Sequence, residues 1–400
     1  MNGNNGGSVN ASVVYMSGYL PGASPEKSPI LSHVPVRLPA AVHGGGSWKD
    51  VCGGGCGFAM AISEAGEAFT WGWKECIPSK DVGGKQQSGL TEQGTNASSG
   101  QNENRKVGEE PVKRRRVSTA KDETEGLTSG EDYFATTPSL VSVGLGVRIT
   151  SVATGGRHTL ALSDIGQVWG WGYGGEGQLG LGSRIKMVSA PHLIPFLESP
   201  GSGKERSFVL HQGTATTSRV PGQYIKAISC GGRHSAAITD SGGLITFGWG
   251  LYGQCGHGNT NDQLRPMAVS EVQNVKMESV ATGLWHTICI SSDGKVFAFG
   301  GNQFGQLGTG TDHAETIPRL LDGQNMENKH AIAVSCGARH SAVLTDDGQL
   351  LCWGWNKYGQ LGLGDTIDRN IPTQVELDGC RLRKVACGWW HTLLLADSPT

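Results

Sequence analysis

The chain is 400 residues long, carries 33 Lys and Arg against 35 Asp and Glu, and has a formal net charge of −2. That balance excludes a uniformly basic nucleic-acid binder, and no apolar run of 18 residues is available to cross a bilayer as a helix. The 63 glycines follow no three-residue period, which excludes a collagen-like chain.

In chain order, residues 1–12 read as a flexible start without the charged-then-apolar layout of a secretory leader, and a soluble intracellular protein is expected. Val13 to Gly18 reads as a strand ending in an aromatic-glycine type element, with Pro35 eighteen residues after Ser17. A degenerate repeat copy follows at Gly57-Phe58, with Ala65-Gly66 as a turn and Trp71 thirteen residues after Phe58. A first insert, 77–131, is rich in Gly, Ser, Gln, Asn, Glu and Lys. It has too few apolar side chains to offset its ordering entropy and is expected to be disordered. Within it, Lys113, Arg114, Arg115 and Arg116 follow Pro111, the pattern of a single-part nuclear localisation signal that an importin groove would read. Ser118, two residues past the arginines, is a candidate phosphosite whose charge would mute that signal.

The regular repeat begins at Gly155-Gly156-Arg157-His158 and recurs at Gly231-Gly232-Arg233-His234, Gly283-Leu284-Trp285-His286, Gly337-Ala338-Arg339-His340 and Gly388-Trp389-Trp390-His391. Thirteen residues after His158, His234, His286 and His340 stands an aromatic followed by glycine: Trp171, Phe247, Phe299 and Trp353. Between them lies an alternating pattern broken by a turn, most plainly at Asp293-Gly294 and Asp347-Gly348, which is a hairpin signal. A G-Q-L-G or G-Q-C-G element follows, then Pro191, Pro266, Pro318 or Pro372, 19 or 20 residues after the aromatic. A second insert, 197–222, separates the second and third copies and is expected to project as a loop. Units of about 51–54 residues with four short strands and no helical stripe are what propeller blades look like. The last copy stops at Thr400, so the strands from Val13 onward are expected to complete its blade and close the ring without a free edge.

The recurrent G-x-x-H, D-G, W-G and G-Q-L-G elements in this order resemble the regulator of chromosome condensation repeat family. The resemblance spans Val13 to Ala396 and implies an all-β propeller, 13–400, usually of seven blades. Six units are detectable here, so either the ring has six blades or one repeat has been lost, with Gly57 to Gly66 the suspected join. The family implies three functional classes: chromatin-associated scaffolds binding histones and regulating genes, including plant members in stress and cold responses; guanine-nucleotide exchange on a Ran-like GTPase; and ultraviolet-B photoreception.

The residues favour the first class. No Ser-His-Asp set, paired carboxylates or P-loop lysine stands out, and no catalytic residue, metal or cofactor is expected. One blade of rotation separates His158, His234, His286, His340 and His391, so they read as buried imidazoles bonded to backbone. Trp71, Trp171 and Trp353 read as core. Cys230, Cys336 and Cys387 share one repeat slot and read as reduced structural thiols. Photoreception in the family uses tryptophans in successive G-W-R-H-T signatures beside arginines. Only Gly388-Trp389 keeps that tryptophan, so no cluster of indoles with arginine partners is expected. Asp312, Glu315, Asp365 and Asp368 follow the G-Q-L-G element and are expected to share an acidic rim for basic histone tails. The two inserts are expected on one rim. Location in the nucleus, through importin, and no sequence-specific DNA or membrane contact complete the expectation.

Overall fold

The computed structural model describes residues 12–18, 30–35, 48–53, 58–63, 65–73, 134–144, 146–196, 224–323, 325–377 and 381–397. The chain divides into a unit of residues 1–80 with 133–400 and a second of 81–132; the second lies outside the described residues, as does the insert 197–222. In the first unit, β-strands form six four-stranded antiparallel sheets, the blades of a six-bladed propeller.

The first blade holds β3 (Trp48–Gly53), β4 (Phe58–Ser63), β5 (Ala68–Trp73) and β6 (Phe134–Val141). The second holds β7 (Ile149–Thr154), β8 (His158–Ser163), β9 (Val168–Gly174) and β10 (Ile185–Leu193). The third is β11 (Ile225–Cys230), β12 (His234–Thr239), β13 (Leu244–Gly248) and β14 (Gln263–Ala268). The fourth is β15 (Met277–Thr282), β16 (His286–Ser291), β17 (Val296–Gly300) and β18 (Glu315–Leu320). The fifth is β19 (Ala331–Cys336), β20 (His340–Thr345), β21 (Leu350–Gly354) and β22 (Arg369–Val375).

The sixth blade is shared between N-terminal and C-terminal strands. β23 (Leu382–Cys387) and β24 (His391–Asp397) are joined by β1 (Ser12–Gly18) and β2 (Ile30–Pro35) in the order β2-β1-β24-β23. β1 pairs with β24 in continuous register from Ser12↔Asp397 to Gly18↔His391.

Local chemistry explains the strands. Gly294 and Gly348 sit at φ +76° and +83° in the hairpin turns, where a side chain would strain the backbone. First strands of neighbouring blades pack together, so the fourth strands form the outer edges. Pro191, Pro266, Pro318 and Pro372 lie in those edge strands, where a missing N–H costs no ladder bond and discourages pairing with another chain.

The core lies between blades. Trp171 and Leu179 of the second blade pack with Met60 and Ile62 of the first, and Trp353 of the fifth packs with Ile288 and Leu307 of the fourth. Trp171 and Trp353 are fully buried, as expected, and Phe247 and Phe299 at the same repeat position are too; Trp71 lies in β5, but its side chain is outside the described set. Strands β8, β12, β16 and β20 are buried along their whole length. β24 alternates instead: His391, Leu393, Leu395 and Asp397 are half-buried. Among the described residues, Cys52, Cys230, Cys255, Cys289, Cys336, Cys352 and Cys387 are free thiols. Burial pushes Cys289 and Cys387 up to about 12, which keeps them protonated and inert.

Candidate functional site

The signature histidines join blades through side chains, a correction to the expected backbone bonds. His158 Nε2 is 2.9 Å from Ser235 Oγ of the next blade, and His234 is 2.9 Å from Thr287 Oγ1. His286–Ser341 and His340–Thr392 repeat the contact at 3.0 Å. Each hydroxyl donates onward to a carbonyl of the histidine's own blade, as Ser235 does to Gln178 at 2.8 Å and Ser341 to Gln306 at 2.8 Å. The hydroxyl's lone pair therefore accepts from the imidazole, which assigns the proton to Nε2. Burial lowers all four imidazoles to about 3, so they stay neutral and cannot act as acid–base groups near neutral pH.

The clamp is missing at two joints. Position 58 is phenylalanine in the register of His158, and the waiting Thr159 hydroxyl has no partner. His391, half-buried and with its pKa lowered by burial, faces a joint where the hydroxyl slot is occupied by Ala59. Both joints flank the first blade.

Strand direction sorts the loops into two rims. Loops between first and second strands carry the signature, and those between third and fourth strands carry G-Q-L-G; antiparallel order puts both at one end of every blade. Backbone bonds tie them together: Trp249 N–H donates to Arg233 O at 2.9 Å and Trp355 N–H to Arg339 O at 2.8 Å. The first insert joins β5 to β6 and leaves from this signature rim. The second joins β10 to β11 and leaves from the opposite one. The expectation of one shared rim is overturned, because the inserts follow an odd and an even strand of their blades.

Along the signature rim runs a continuous chain of rings and guanidinium groups. Arg157 lies over Tyr173 at 5.4 Å, and Tyr173 Oη donates to Glu176 at 3.4 Å. Glu176 pairs with Arg233 at 3.1 Å, which stacks 5.2 Å from Trp249. Trp249 meets Tyr252 at 5.5 Å, and Tyr252 meets Trp285 at 5.2 Å. Arg339 then sits among three rings, 5.0 Å from Trp285, 4.6 Å from Phe304 and 5.3 Å from Trp355. Trp355 packs against Tyr358 at 5.3 Å and Trp390 at 5.1 Å, and Trp390 against Trp389 at 6.1 Å. The rings are half-exposed. This overturns the expectation that no cluster of indoles with arginine partners forms. The sequence concealed it because the rings come from four repeat positions: the second and third of the signature, the first after aromatic-glycine, and the one before G-Q.

Arg339 stands apart electrostatically. Burial lowers its pKa from the usual arginine value, its Nε–H has no acceptor, and no carboxylate among the described residues pairs with it. The four expected rim carboxylates do fall on this rim, in or beside the third-to-fourth strand loops, but each is engaged. Asp312 pairs with His313 at 2.9 Å and Glu315 with Arg319 at 2.7 Å. Asp365 pairs with Arg369 at 2.6 Å, and Asp368 accepts the Asn356 N–H at 2.7 Å. Burial pushes the Asp365 carboxyl up, but the Ile367 N–H and Arg369 outweigh it and leave it below the usual range.

Among the described residues, no three His, Cys, Asp or Glu gather as a metal site, and no helix is long and apolar enough to cross a membrane. Lys113, Arg114, Arg115, Arg116 and Ser118 lie outside the described residues.

A family model described as the RCC1-like domain matches residues 77–399. The chain is 36% identical over 273 residues to the ultraviolet-B receptor UVR8 of Arabidopsis thaliana, covering 68% of this chain and 56% of that protein. It is 34% identical over 255 residues to the human E3 ubiquitin-protein ligase HERC2, covering 63% of this chain and 5% of the ligase. The chain thus spans about half of one relative and a small part of the other. Prp20p of Saccharomyces cerevisiae, whose structure was described with its binding to Gsp1p and histones, superposes with a TM-score of 0.66 at 16% identity, covering 97% of this chain and 92% of that one. At that identity the likeness concerns the fold alone.

Proposed function

The chain belongs to the RCC1-like domain family, and on that premise we propose that it is a non-catalytic nuclear scaffold that docks chromatin proteins on its signature rim. The observation that carries this reading is the half-exposed chain of rings and guanidinium groups from Arg157 to Trp390. Aromatic and arginine side chains are the ones that anchor interfaces, whereas the buried histidines and thiols are chemically silent. Histones are the first partner class, with their basic tails meeting Asp312, Glu315, Asp365 and Asp368 beside the belt. Because these carboxylates already have partners, the tail contact is weak and salt-sensitive. Entry to the nucleus would run through importin at Lys113 to Arg116. Regulation of gene expression in stress or cold responses is the biological role that this reading carries.

The test is capture of purified histones by the full chain, compared with Trp355→Ala and with Asp365→Asn. Capture that ignores both changes rejects the rim as the docking face. Release of nucleotide from a Ran-like GTPase, measured in the same preparations, would move the protein to the exchange-factor class instead.

A second reading rests on the same belt. Trp285 and Trp355 lie against Arg339, and Trp355, Trp390 and Trp389 pack in succession, and indole is the side chain that absorbs best toward the ultraviolet-B. Such an arrangement supports light sensing in this chain. Irradiation should then change its sedimentation and indole emission reversibly; an unchanged protein ends this reading.

A further inference from the structure

Resting on the signature rim as a docking face, we infer that its belt binds a single-stranded nucleic acid, rings stacking on bases and guanidiniums meeting phosphates. Three observations support this. First, rings interspersed with three guanidinium groups run over five blades, from Arg157 and Tyr173 through Arg233, Trp249, Trp285 and Arg339 to Trp355 and Trp390. A single strand interleaves flat bases with phosphates, and every base offers a face to a ring whatever its identity. A partner protein offering only carboxylates would use the arginines and leave the rings idle.

Second, Arg339 is a half-buried cation held among three rings, with an Nε–H that has no acceptor and no carboxylate partner among the described residues. The nearby carboxylates cannot supply a copy's matching anions, since Glu176, Glu315 and Asp365 already pair with Arg233, Arg319 and Arg369. A ligand that brings its own negative charge would supply the acceptor that the Arg339 Nε–H lacks.

Third, the belt begins at a hollow of about 430 Å³ lined by Arg157, Tyr173, Lys186 and Met187. One phenol ring beside two cations is what one nucleotide needs, a stacking wall and a phosphate contact. The near-neutral net charge of −2 is no obstacle, because the cations are local to one rim. The binding is expected to be indifferent to base sequence, since no group of the belt is placed to read a base edge.

The test uses the full chain and labelled homopolymers of about 15 nucleotides, oligouridylate and oligothymidylate. Anisotropy and quenching of indole emission report binding, and the two homopolymers tell RNA from DNA as the source. Binding should weaken with a log–log salt slope of about −1.4, from Arg157 and Arg339 at roughly 0.7 each for single strands, since Arg233 stays paired with Glu176. Trp355→Ala and Arg339→Ala should each weaken it roughly ten-fold. Arg339→Lys should recover the salt slope but not the quenching. Lys295→Ala, an exposed cation on the opposite rim, should leave binding intact. No binding to either homopolymer at low salt overturns the inference. Equal weakening by Lys295→Ala and Arg339→Ala also overturns it, as does polyglutamate binding where the homopolymers fail. Histone capture repeated after nuclease treatment separates this inference from the scaffold reading: capture that persists supports the scaffold whatever the homopolymers do.

Discussion

His340 Nε2 lies 3.0 Å from the Thr392 hydroxyl of the following blade, and that hydroxyl donates to the Gln360 carbonyl at 2.7 Å. Two groups of one blade thus grip a single oxygen of the next, and four of the six joints are held this way. The grip is buried, so its worth is set by what remains unpaired when it fails.

The histidines make the ring acid-sensitive. His158, His234, His286 and His340 are lowered by burial to about 3 from an ordinary 6.5. The unfolded chain takes up protons as pH falls through 6.5 while the folded chain does not, so stability is complete above that value and lost between it and about 3. Each imidazole adds about 1.4 kcal/mol per pH unit to the slope. Urea midpoints should fall steeply from about pH 7 to about pH 5. A flat profile would mean that these imidazoles are not buried neutral.

Clamped and unclamped hydroxyls should answer differently to the same change. Thr287→Val strands the His234 N–H and the Gln254 carbonyl, both now served by one hydroxyl, and should cost about 1–3 kcal/mol. Thr159→Val removes a buried hydroxyl that has no partner and should be near neutral or stabilising. Equal losses in denaturant titrations would contradict the geometry.

Removing residues 1–18 takes β1 from beside β24, where it pairs over seven residues, and exposes that strand as an edge. Stability should drop markedly, because ring repeats depend on their neighbours. An unchanged melting curve would show that the two ends do not hold one another.

Replacing Lys113, Arg114, Arg115 and Arg116 with alanine should shift a tagged protein toward the cytoplasm. The melting temperature should not move, since the run is outside the six blades. A mutant that stays nuclear removes the import role.

The blades were legible because each is a local event: a turn glycine, an alternating pair of strands and an aromatic at fixed distance from a histidine. The shared blade was legible too, since Val13 to Gly18 reads as a strand of the repeat, and it pairs with β24. The belt was not. Arg339 of the fifth blade meets Trp285 and Phe304 of the fourth, which come from two different repeat positions, only after those blades pack. Loop position alone does not separate the rims of the two inserts. Strand parity, which turns Trp73 toward one end of the ring and Leu193 toward the other, decides the matter.

The first blade, with Phe58 and Ala59 where its neighbours carry an imidazole and a hydroxyl, is bounded by the two unclamped joints. A blade inserted or deleted there breaks no histidine–hydroxyl pair and strands no additional buried donor. At any other joint a blade without its own imidazole and hydroxyl would leave an imidazole N–H facing nothing. A repeat that has lost this pair is therefore tolerated at one address in this ring and penalised at the rest, which is how a circular array can carry a divergent member without ceasing to fold.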